Sequence, residues 1–199
     1  MKVNAYLFKD KRFLLMLLLL NLAGIFFSFK SYINGIVRHI TLEKFYIIPF
    51  FMVSFWLYLF AFIFILYLLF DLKIPKFLSA LIFVYCFIYG IGSLVFYPFF
   101  MAFVKGLTLY HTWNIAAHGF VGLQSILFYT HIKKPKIASI IALAGLILLK
   151  DFVDLFHGGF LYFVNYDFPF FLKGFLILLM SSLQILAFYL LVRKKKISL

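Results

Sequence analysis

Long stretches of consecutive apolar residues, among them FLLMLLLL (13–20) and FAFIFILYLLF (60–70), recur along the chain with no charge or helix breaker inside them. Such runs belong either in the core of a large protein or in the hydrocarbon of a bilayer. With 199 residues the chain is too short to bury so many of them behind a soluble surface. Composition agrees: 66% of the residues are hydrophobic and 13% charged, against about 45–50% and about 25% in soluble domains. A transmembrane β-barrel is excluded because its strands alternate in polarity and these runs do not. Intrinsic disorder is excluded by the same composition. The expected fold class is all-α, an integral membrane bundle.

Six segments are long enough to cross about 30 Å of hydrocarbon: 13–29, 46–70, 77–103, 112–130, 137–163 and 169–192. Short connections and the lack of a composition shift make 1–199 a single polytopic domain of six antiparallel helices. Pro49 and Pro169 stand near segment starts, where a missing amide hydrogen costs least. Gly158 and Gly159 are candidates for a kink in the fifth segment. The basic N-terminal stretch followed by an apolar run also fits a secretory signal, but the run continues through IFF beyond a plausible cleavage point, so an uncleaved first helix is expected. No internal repeat is evident.

The net charge of +13 would suggest nucleic acid in a soluble protein. Here the charges sit in short blocks at the ends of apolar segments, where they meet headgroups and orient helices. No nucleic-acid partner is expected; the bilayer is the partner. One side of the membrane collects 13 Lys and Arg and the other 5, which places both termini in the cytoplasm and the protein, as a multi-pass chain, in the cell membrane. The single cysteine, Cys86, lies in an apolar run and reads as a small buried group.

Ionisable residues deep in a membrane helix cost about 2.5–3.5 kcal/mol each and normally face the bundle interior. Only the fourth and fifth segments carry a cluster. In LLKDFVDLFHGGF, Lys150, Asp154 and His157 follow i, i+4, i+7 and share a face, with Asp151 beside them. In HTWNIAAHGFVGLQS, His111, Asn114, His118 and Ser125 do the same. His118 and His157 lie about 10 Å below the outer ends of their segments and Asp154 about 15 Å, so the three can converge between antiparallel neighbours. Their nitrogen and oxygen atoms suit zinc with an open fourth position for water. The alternative is structural: Lys150 pairs with Asp154, His157 bonds to His118, and two helices are pinned. His111 reads as interfacial, His39 and His131 as loop residues. Asn21, Gly24 and Ser28 share a face of the first segment, Ser181, Ser182 and Gln184 lie in the sixth, and both groups read as packing positions. Tyr85, Tyr89 and Ser93 line one side of the third. No nucleotide loop, Gly-x-Ser-x-Gly elbow or His-Glu-x-x-His zinc signature occurs.

The stretches AAHGFVGLQSILFY (116–129), LILLKDFVDLF (146–156), NLAGIFFSF (21–29) and IIPF (47–50) together resemble the membrane-protein family known as domain of unknown function 1405. The resemblance implies a small polytopic membrane protein in which His118, Asp151 and Asp154 belong to the family pattern. The family carries an acidic residue after the aromatic-proline-Phe, where this chain reads FMVSF (51–55).

The leading expectation is an intramembrane metal-dependent hydrolase of a lipid or other membrane-embedded substrate. His118, Asp154 and His157 would hold the metal, and Asp151 would orient or activate the water. The alkaline ceramidase superfamily uses a similar site chemistry, which is an analogy only. Two alternatives stand beside it: a transporter or channel in which Asp151, Asp154 and Lys150 relay a proton or bind a cation, and an accessory subunit whose polar stripe holds a partner helix.

Overall fold

The computed structural model describes residues 10–157 and 168–194. These are helical with no strand among the described residues. Helix α1 is Lys11–Thr41, α2 the short Phe45–Phe51, α3 Val53–Leu69, α4 Lys76–Lys105, α5 Leu109–Tyr129, α6 Ile137–Phe156 and α7 Phe170–Arg193.

The ends have local causes. Asp10 caps α1 by accepting from the Arg12 N–H at 2.8 Å, and Thr108 caps α5 by accepting from the His111 N–H at 3.2 Å. Pro49 occupies the first turn of Ile48–Phe51, the α-helical part of α2 after a 3-10 turn, and Pro169 caps α7, as their chemistry suggests. The expected second span is broken: at Met52 the backbone leaves helical geometry and α3 departs at 58° from α2. The expected first span lengthens to 31 residues, so His39 lies in a helix, buried 5.0 Å from the Phe51 ring, and not in a loop. The proposed glycine kink at Gly158 and Gly159 lies outside the described residues.

α4 is the central element and the most buried. α1 runs along α3, while α5 and α7 pack on α4. In a bilayer, apolar side chains gain little by leaving lipid, so contact quality decides which helices meet. The closest approach is at two glycines: a Cβ on Gly90 would lie 2.5 Å from the Gly122 backbone, so α4 and α5 touch main chain to main chain. There α4 widens into π-type winding over Cys86–Ile91. Below this crossing Phe64 stacks on Phe128 at 4.2 Å, which closes α3 on α5. α6 packs chiefly on the short α2.

Among the described residues three helices, α1, α4 and α7, are long and apolar enough to cross a membrane, and α2 with α3 makes a fourth if the bent pair is one span. α5 and α6 have 21 and 20 residues, long enough at 1.5 Å per residue. Their polar residues, three of them charged in α6, hold them apart from that group. Length and apolarity alone therefore do not yield six spans.

Candidate functional site

His118 stands on α5 one turn before Gly122, so the glycine crossing carries its backbone into the bundle. Its ring is buried between two tyrosines, Tyr58 of α3 at 5.9 Å and Tyr97 of α4 at 5.8 Å, both close to parallel with it. Nδ1 lies 2.9 Å from the Asn114 carbonyl oxygen and Nε2 lies 2.7 Å from Ser54 Oγ. A carbonyl only accepts, so Nδ1 bears the hydrogen and, in the neutral ring, Nε2 is the acceptor. The Ser54 hydroxyl therefore donates to Nε2. Tyr32 of α1 completes the arrangement: its hydroxyl donates to Ser54 Oγ at 3.2 Å and accepts from the Ser54 N–H at 3.3 Å.

This is a nucleophile, a base and a group that orients the base, the arrangement that activates a serine. Ser54 sits in the first turn of α3, directly after the break at Met52. That turn is the positive end of the helix dipole, where negative charge on a reacting oxygen is favoured. Ser54 is half-buried and His118 fully buried, so the hydroxyl is approachable while the base is shielded.

The remaining expected residues form a second group. Lys150 Nζ meets Asp154 Oδ2 at 2.6 Å, and both side chains are almost wholly buried. The ammonium also lies 5.0 Å from the centre of the Tyr89 ring. Asp151 accepts from Gln184 Nε2 of α7 at 2.5 Å. Asp154 Oδ1 and the hydroxyls of Tyr85 and Tyr89 have no hydrogen-bond partner among the described residues. A cavity of about 210 Å³ adjoins the second group, walled by Trp56, Phe60, Leu81 and Leu146, with Tyr85 and Lys150 as its polar members.

The structure does not bring His118, Asp154 and His157 together. His118 turns to Ser54, Asp154 to Lys150, and His157 ends α6 exposed against Tyr46 and Phe152. Among the described residues no three histidine, cysteine, aspartate or glutamate side chains are grouped as a metal site requires. These residues do not fit zinc, and Asp151, held by Gln184, does not face His118. The reason lies in the packing: α5 spends its small-residue face on α4 and does not run along α6. The Lys150–Asp154 pair is present as the structural alternative had it, but the His118–His157 bond is not. His111, in the first turn of α5, is buried against Phe100 and 2.5 Å from Thr108 Oγ1.

No family model, curated protein or solved structure matches the chain. Sequence reasoning missed Ser54 and Tyr32. The available signal was a lone serine directly after an aromatic-proline segment, but its pairing with His118 spans 64 positions and no local periodicity reports it.

Proposed function

We propose that this protein is an intramembrane hydrolase in which Ser54 is the nucleophile and His118 the general base. The carrying observation is the 2.7 Å contact from Ser54 Oγ to His118 Nε2, with Nδ1 fixed on the Asn114 carbonyl. The hydrolase class expected from the sequence is kept, and its metal is replaced by a side-chain dyad. Ser54 Oγ attacks the carbonyl carbon of an ester or amide, and its proton passes to His118 Nε2. The imidazolium returns that proton to the leaving group. Water then cleaves the acyl-serine, with His118 again taking and returning a proton. Tyr32, which touches Ser54 Oγ, positions that oxygen and can donate to the oxyanion. Because the dyad lies among apolar helices, the substrate is membrane-embedded, a lipid acyl ester or amide.

Six spans with both termini cytoplasmic, and membership of the family the sequence resembles, belong to the same reading. The basic residues at segment ends, and three helices long and apolar enough to cross a membrane, four if α2 and α3 make one span, support the topology. Hydrolysis of fluorogenic acyl esters by detergent-purified protein tests the activity. Ser54→Ala and His118→Ala should each lower turnover by about a hundredfold or more. Turnover unchanged in both variants would remove the dyad from the chemistry.

A second reading is favoured by the unpartnered Asp154 Oδ1 beside buried tyrosine hydroxyls: proton transfer along Lys150, Asp154, Tyr85 and Tyr89. Acidification of liposomes containing the protein, abolished by Asp154→Asn, would support it over hydrolysis.

A further inference from the structure

The cavity between α3, α4 and α6 lies on the face of α3 away from Ser54. Trp56 and Phe60 line it, whereas Ser54 and Tyr58 face His118 about half a turn around the helix. Its wall is almost entirely apolar, and its rim includes exposed Leu146 and Pro49, so it opens at the surface of the bundle. Two of its lining residues, Tyr85 and Lys150, carry hydrogen-bond donors with capacity to spare, the Tyr85 hydroxyl lying just behind the wall. The Tyr85 hydroxyl, in a residue more than nine-tenths buried, has no partner among the described residues. Lys150 carries three N–H groups and gives one to Asp154.

We infer that this cavity seats the carboxyl head of a long-chain fatty acid, its tail running out along the apolar wall. The chemistry is complementary at both ends. Two donors, one cationic, call for an acceptor head, and a carboxylate offers an oxygen to each. The Phe60, Leu81 and Leu146 surfaces call for an alkyl chain. A phospholipid phosphodiester stays ionised and brings no proton with it, so its head would add a charge to the site. The buried site also rules out an added net charge, because Lys150 and Asp154 already sum to zero. The acid therefore enters with its proton: Asp154 takes it, Lys150 is released from Asp154, and the ammonium pairs with the ligand carboxylate. Charge is conserved within the cavity, and the inference does not depend on the Ser54 reading.

Trp56 in the cavity wall supplies the probe. The chain has two tryptophans, and Trp113→Phe leaves Trp56 alone. Dibromostearic acid added to the detergent-purified full chain should quench Trp56 saturably, and unbrominated stearic acid should reverse the quenching. The methyl ester, which brings neither proton nor anion, should bind about tenfold more weakly, the loss of one charge-assisted hydrogen bond. Tyr85→Phe and the charge-neutral double variant Lys150→Met/Asp154→Asn should weaken the acid and leave the ester unchanged. If the double variant does not fold, Tyr85→Phe decides. Quenching that never saturates, equal affinity for acid and ester, or unchanged affinity in Tyr85→Phe would overturn the inference.

Discussion

The Asn114 carbonyl settles which nitrogen of His118 is the base, and that one backbone atom turns a serine–histidine contact into a directed pair. Substituting the ring tests the direction. His118→Gln can keep one bond to Ser54 but takes up no proton, so it should fold like the parent yet lose turnover to the level of His118→Ala, measured by ester hydrolysis and thermal melting. The ion pair obeys different arithmetic. Lys150→Met strands the Asp154 carboxylate among apolar helices and should destabilise by about 3–5 kcal/mol. Adding Asp154→Asn should restore most of that loss, read by denaturation of the detergent-solubilised protein. This pair was legible in the sequence because i, i+4 spacing on a helix brings side chains together whatever the fold. The His118–Ser54 bond was not, because it depends on which helices become neighbours.

Among the elements, the α4–α5 crossing positions the site. A Cβ at Gly90 would meet not only the Gly122 backbone but also the His118 carbonyl oxygen at 3.1 Å. Gly90→Ala should therefore cost about 1–3 kcal/mol of stability through overpacking and lower turnover beyond what partial unfolding explains. Gly145→Ala, at a helical glycine with nothing within 4 Å of the added carbon, should be stable and fully active. Most helix ends were legible: the third span was expected at 77–103 and is Lys76–Lys105, and the last at 169–192 and is Phe170–Arg193. The failures are physical. α1 continues past Lys30 because a charged side chain on an exposed helix face can reach water without ending the helix. The break at Met52 carries neither proline nor glycine at the bend, so nothing local announces it. Yet that break puts Ser54 in a first turn facing α5.

Across the described residues, polar side chains such as Asn21, His118, Gln124 and Lys150 are buried in a helical bundle that exposes many large apolar side chains. On the proposed six-span topology, the placement of basic residues, 13 against 5, would put both ends in the cytoplasm. A periplasmic-type phosphatase reporter fused after Leu199 should accordingly be silent, and a cytoplasmic fluorescent reporter there should be bright. Fold class followed from composition alone, since apolar runs of this length permit little else. The site did not, because the chain closes it from residues on α1, α3 and α5 that share no motif.

Reaction of the detergent-purified protein with a fluorophosphonate, which phosphonylates only an activated serine, tests the Ser54–His118 pair most directly when the adduct is located by mass spectrometry. Stoichiometric label on Ser54, lost in Ser54→Ala and strongly slowed in His118→Ala, is the expected result. A folded protein that takes up no label, or takes it up on another serine, would contradict the assignment.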